Sequence, residues 1–148
     1  MINDEIEFRL NRDNWPRLSS QQEQAYKGIK DGCNTVQYLQ GVTGSGKTEV
    51  YLNLVYDCLK INQNVIFLVP EIALTPQFVN IFKERFGELV AVFHSKISDR
   101  QKYMEWKHLL EGRKRVVIGA RSALFSPVPR LGLIILDEEG ETVLARNV

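Results

Sequence analysis

Apolar side chains at Val50, Tyr51, Leu54, Val55 and Cys58 fall on one face of a helix and predict that element over residues 47–60. The same spacing returns at Phe78, Ile81, Phe82 and Phe86, and once more at Trp106, Leu109 and Leu110, which read as core positions. Between these stretches the period changes. Val65-Ile-Phe-Leu-Val69 and Leu131-Gly-Leu-Ile-Ile-Leu136 are nearly unbroken apolar runs, as expected of strands covered on both faces. Residues 35–39, 89–93 and 116–118 read as shorter strands. The ends of elements are marked as well. A helix over residues 21–30 stops at Asp31-Gly32, Ser98-Asp-Arg-Gln101 has the form of a capping box, and Gly112 closes the helix that follows it. Strands alternate with helices, and the strands show no polar alternation. That pattern predicts an α/β fold, a parallel β-sheet with helices on both faces, whose chemistry lies just beyond the carboxyl ends of the strands.

Length and composition fit this picture. The chain has 148 residues, 44% hydrophobic and 25% charged, the size and balance of one globular domain. No apolar run approaches the roughly 18 residues needed to span a bilayer. The polar start Met-Ile-Asn-Asp-Glu is no secretory signal, so a cytoplasmic location is expected. Residues 1–16, holding several charges, asparagines and Trp15-Pro16, read as a flexible lead-in. Residues 17–140 form the domain, and residues 141–148 are a divergent or truncated tail. Cys33 and Cys58 belong to no C-x-x-C pair, so no zinc site is expected from this chain, and Cys58 reads as a small buried hydrophobe. Nineteen basic residues against eighteen acidic give a net charge of +1, so contact with DNA has to come from local placement rather than bulk charge. Arg113-Lys114-Arg115 is the one local concentration of cations, and it fits a solvated turn between a helix and a strand better than a binding site.

Two motifs carry chemistry. Gly41-Val-Thr-Gly-Ser-Gly-Lys47-Thr48 fits G-x-x-x-x-G-K-[ST] between a predicted strand and a predicted helix, the context of a phosphate-binding loop. Backbone amides around Gly41, Thr43, Gly44, Ser45 and Gly46 can curl around phosphate oxygens, helped by the positive end of the next helix. Lys47 then meets the β and γ phosphates of ATP, and Thr48 offers a hydroxyl to Mg²⁺. The second motif is Asp137-Glu138-Glu139, at the end of a buried strand. A carboxylate there is costly unless it meets a cation. Asp137 is the expected second ligand of Mg²⁺, and Glu138 the group that orients and deprotonates the attacking water.

Taken together, Leu18-Ser-Ser-Gln-Gln22, the extended loop Gly41–Tyr51, Val69-Pro-Glu-Ile-Ala-Leu-Thr-Pro-Gln77, His94-Ser95, Ile118-Gly-Ala-Arg-Ser-Ala-Leu-Phe125 and Asp137-Glu-Glu139 resemble, in order, the motifs of superfamily 2 helicases. The resemblance is specific to the PriA-type replication-restart helicases and covers roughly residues 18–139. It implies a RecA-like, three-layer P-loop NTPase lobe, the first of two in an ATP-driven motor that moves 3′ to 5′ on single-stranded DNA and helps reload the replication machinery at stalled forks. It implies that Gln22 reads the adenine. It also implies that Pro70, Glu71, Thr75, Gln77, Arg121 and Ser122 lie near the DNA backbone. From the residues alone, Pro70 and Pro76 also fit a turn and a helix start, Arg121 also fits a structural ion pair, and His94 fits a loop histidine better than a catalytic base.

The match departs from the family at Gly140, where the acidic motif ends in histidine, and in the tail from Glu141 on. An N-terminal DNA-binding domain, zinc-binding cysteines and a second motor lobe, expected of such helicases, have no counterpart in these residues. The chain therefore reads as a fragment with weak ATP binding and little hydrolysis of its own. Two other classes stay open: a small P-loop kinase or GTPase, against which no guanine-type N-K-x-D occurs, and a non-catalytic P-loop module that binds DNA or a partner.

Overall fold

The computed structural model describes residues 10–32, 36–39, 46–138 and 141–146. Gly41, Thr43, Gly44 and Ser45 of the phosphate loop, together with Cys33, Glu139 and Gly140, lie outside the described residues. The helices are α1 (Ser20–Lys30), α2 (Gly46–Lys60), α3 (Pro76–Phe86) and α4 (Asp99–Leu110). The strands are β1 (Val36–Tyr38), β2 (Asn64–Leu68), β3 (Val90–Phe93), β4 (Val116–Gly119), β5 (Leu131–Glu138) and β6 (Glu141–Arg146).

All six strands form one sheet in the order β1-β6-β5-β2-β4-β3. The four that the apolar runs predict as core strands, β3, β4, β2 and β5, pair in parallel. The sheet is nonetheless mixed, where the sequence pattern predicts a purely parallel one. Residues 141–146, expected as a tail, form β6, which pairs antiparallel with β5 on one side and with β1 on the other. An antiparallel partner can follow its neighbour directly, whereas a parallel one needs a crossover. Thr142 and Leu144, alternate residues of β6, are buried. Because β6 opposes both neighbours, β1 still points the same way as β5.

Alternation along the central strands divides the core in two. Val65, Phe67, Val116, Ile118, Leu133 and Ile135 face one way and pack against α1, α2 and α3. Ile66, Leu68, Val117, Ala91 and Phe93 face the other way, toward Leu109 of α4 and Ala123. The result is the expected three layers. Phe67 is the centre of the first, with edge-on contacts to Tyr51, Phe78 and Phe82 at centroid distances of 5.1, 5.7 and 5.2 Å. The capping box expected at Ser98 forms, and two further helix starts are capped. Ser19 and Ser98 head capping boxes with Gln22 and Gln101, and Thr75 caps α3 with Pro76 in its first turn.

Several expectations need correction. Leu10 is 4% exposed, and Trp15 packs edge-on against Tyr56 and Phe86, so the described part of the lead-in is docked on α2 and α3. Arg12 lies over the Tyr56 ring and donates to Asn53 Oδ1 at 3.1 Å, which fixes the same segment. Trp106 is not core. It is 37% exposed, with Tyr103 and Leu110 beside it on the outer face of α4, because Leu109 alone of that helix is buried against the sheet. The cluster at residues 113–115 is taken up within the chain. Arg113 pairs with Glu111, Lys114 Nζ lies 2.5 Å from Glu105 Oε1, and Arg115 is buried and donates to Asn62 Oδ1. Cys58 is part-buried as a hydrophobe would be, and burial pushes its thiol up to about 12. No helix among the described residues is long and apolar enough to cross a membrane.

Candidate functional site

The carboxyl edge of the sheet gathers most of the chemistry-bearing residues. On one side stands the first turn of α2, with Gly46, Lys47 and Thr48. This 15-residue helix directs the positive end of its dipole toward that edge. Gln22 is tied to it. Its Nε2 donates to the Gly46 carbonyl at 3.0 Å, while its Oε1 accepts from the Ser19 amide at 2.8 Å as part of the capping box. One side chain thus fixes the start of α1 against the start of α2.

Asp137 reaches the same corner. Its Oδ1 accepts from Thr142 Oγ1 at 3.3 Å, and the Thr142 hydroxyl also meets the Tyr51 hydroxyl. Tyr51 sits one helical turn beyond Lys47 and Thr48, so it shares their face of α2. The link Asp137–Thr142–Tyr51 therefore sets the acidic strand end against the helix that begins with Gly46-Lys47-Thr48. Tyr51 is 2% exposed, and burial, with the Asp137 charge nearby, holds its hydroxyl well above the ordinary phenol range.

A second group lines a cleft of about 450 Å³ beside this corner: Pro70, Glu71, Arg121, Ser122 and Glu138. Two short 3-10 turns build its walls, Glu71–Ala73 after β2 and Arg121–Phe125 after β4. Gly119 makes the second turn possible. A Cβ there would stand 2.8 Å from the Phe93 carbonyl oxygen and 2.6 Å from Ala123 Cβ, so only glycine lets the turn fold down onto the sheet. Arg121 holds Glu138 with two parallel hydrogen bonds, both 3.1 Å. The guanidinium keeps the Glu138 carboxyl below the ordinary carboxylate range. Glu71 is lowered too, by accepting the Ser95 amide at 2.9 Å.

The candidates named from the sequence thus fall into two neighbouring sets. Gln22, Gly46, Lys47, Thr48 and Asp137 belong to the corner at α2. Pro70, Glu71, Arg121 and Ser122 share the cleft, and Glu138 belongs with them through its bond to Arg121. Thr75 and Gln77 do not line that cleft. The Thr75 hydroxyl accepts the Phe78 amide as the cap of α3, and Gln77 is exposed in the first turn. His94 is a loop residue whose Nδ1 accepts the Lys96 amide at 3.2 Å. Sequence reasoning missed Tyr51 and Thr142. Tyr51 reads from its spacing as part of an apolar stripe, although it closes the extended loop motif. Thr142 lies in the segment taken for a tail, and no sequence signal marked it. Among the described residues no cluster of three or more His, Cys, Asp or Glu is placed to hold a metal. The donor set at the corner is instead one carboxylate and one hydroxyl beside a helix N-terminus, which fits a divalent ion that arrives with phosphate oxygens and keeps its waters.

The chain is 49% identical over 141 residues to the replication restart protein PriA of Synechocystis sp., a match covering 90% of this chain and 16% of that protein. The corresponding protein of Bacillus subtilis is 47% identical over 129 residues, with 84% and 16% covered. That of Haemophilus influenzae is 45% identical over 135 residues, with 90% and 18% covered. The chain spans about one sixth of the length of these relatives. The sequence profile of DEAD/DEAH box helicases matches residues 19–143, which include both motifs and every group described at this edge. The chain belongs to the DEAD/DEAH box helicase family.

Proposed function

We propose that residues 17–140, with β6 completing their sheet, are the ATP-binding, RecA-like first lobe of a 3′–5′ DNA helicase of the replication-restart type. The observation that carries this is the link from Asp137 through Thr142 to Tyr51, which brings the acidic strand end to the helix that starts with Lys47 and Thr48. In this lobe the amides of residues 41–46 and the ammonium group of Lys47 hold the triphosphate of ATP. Gln22, already beside Gly46, keeps an amide hydrogen and a lone pair for the adenine edge. Thr48 and Asp137 are the ligands for Mg²⁺, which when bound neutralises charge developing on the phosphate oxygens. Glu138 aligns the attacking water and takes its proton. Pro70, Glu71, Arg121 and Ser122, with Thr75 and Gln77 at the start of α3, form the track for the single-stranded DNA backbone. Contacts of this kind position the strand without reading bases.

An isolated lobe closes the nucleotide on one side only. A second lobe supplies transition-state charge stabilisation worth roughly 10³-fold or more in related NTPases. In the whole protein that lobe, forked DNA and other replication proteins are the expected partners. Calorimetric titration of this chain with ATP tests the proposal. Saturable, magnesium-dependent binding with negligible turnover is expected. Robust phosphoryl transfer to an added acceptor would point to a kinase instead, and an absence of binding would leave only a non-catalytic module.

A further inference from the structure

The cleft beside the nucleotide corner contains a competition. Among the described residues that line it, Arg121 is the one cation. Its Nε donates to Glu138 Oε1 and its Nη2 to Glu138 Oε2, so one planar fork occupies both carboxylate oxygens. An anion entering the cleft meets no other positive side chain among the described residues of its lining. It can bind well only by taking the same fork, because bidentate recognition of phosphate uses the N–H groups that now face Glu138. The pair is open to exchange. The side chain of Arg121 is 82% exposed and that of Glu138 is 31% exposed, and ion pairs so accessible to water hold weakly. The other charged residues described in the cleft or next to Glu138 on the sheet are acidic: Glu71 across the cleft, Asp137 beside it on β5, and Glu141 opposite it on β6. Once Arg121 turns away, no other cation among the described residues of the lining faces the carboxylate.

We propose that Arg121 is a positioning residue that parks Glu138 in the resting lobe, and that a phosphodiester oxygen of single-stranded nucleic acid entering the cleft takes over the guanidinium and releases the carboxylate. What the released carboxylate then does rests on the function proposed above. A carboxylate held at both oxygens has neither aimed at a water, so parking suppresses water activation until the strand is present. The exchange couples the track to the chemistry through one side chain, without any movement of the sheet.

The test follows the Arg121 Nε–H signal and the Glu138 side-chain carboxyl ¹³C signal of the 148-residue chain at one fixed neutral pH. A short oligodeoxythymidylate should displace both signals together, along one saturation curve. In Arg121→Gln the Glu138 signal should start displaced and ignore the oligonucleotide. Arg121→Lys keeps the charge but not the fork, and should fall between the two. The proposal is overturned by three results: an unmoved Glu138 signal at saturating oligonucleotide or no oligonucleotide binding at all, a Glu138 signal in Arg121→Gln that matches the resting chain, or a response to magnesium ATP and none to the oligonucleotide. None of these readouts requires hydrolysis. A failure of the ATP-binding proposal, seen as absence of nucleotide binding in calorimetry, is therefore distinct from a failure of the exchange.

Discussion

Replacing Phe67 by alanine is expected to destabilise the chain by about 3–5 kcal/mol, the cost typical of truncating a buried aromatic to alanine. Phe67 is fully buried on β2 and touches Tyr51, Phe78 and Phe82 edge-on. Each such ring pair adds about 0.5–1.5 kcal/mol beyond its area. A cavity there cannot close easily, because β2 is held by β4 on one side and β5 on the other. Against a total stability on the order of 5–15 kcal/mol the loss is large. It corresponds to a fall of roughly 6–20 °C in melting temperature for a chain of this size. The effect should reach the site as well, since Tyr51 loses the ring that backs it and with it the alignment toward Thr142 and Asp137. Thermal unfolding followed by circular dichroism measures the change. A loss below about 1 kcal/mol would mean that the aromatic cluster is not the centre of the core.

Lys47→Ala should weaken binding of ATP to the same chain by roughly 10- to 150-fold, the loss of one charge-assisted contact worth about 1.5–3 kcal/mol. The fold should be unaffected, because Lys47 is a partly exposed residue in the first turn of α2 and alanine is a good helix former. Calorimetric titration beside a melting curve separates the two. Unchanged affinity would remove the ammonium group from the phosphate site, and a large fall in melting temperature would assign Lys47 to structure instead.

Much of the fold was legible because the central strands are covered on both faces and have to be apolar throughout. Val65–Val69 and Leu131–Leu136 admit little else. The cap at Ser98 was legible for a different reason: it bonds to an amide three residues away, a purely local matter. What escaped depends on partners distant in sequence. β6 is a short, mixed segment whose burial comes only from lying between β5 and β1. Trp106 has the spacing of a core residue, yet the face of α4 that meets the sheet is set by Leu109. The site divides in the same way. The phosphate-loop residues and Asp137 announce themselves by type and spacing. The bond between Arg121 and Glu138 joins residues 17 positions apart through two parallel strand ends, and only the register of β4, β2 and β5 brings them together.

The central claim is spatial: the metal of a bound triphosphate lies between the first turn of α2 and the end of β5. Manganese can replace magnesium in a complex with a non-hydrolysable ATP analogue, and its unpaired electrons broaden nearby amide signals of the isotope-labelled chain. Signals of Gly46, Lys47, Thr48 and Asp137 should disappear first, with those of β3 and α4 unaffected. Broadening centred on β3 and α4, with Asp137 still sharp, would contradict the claim.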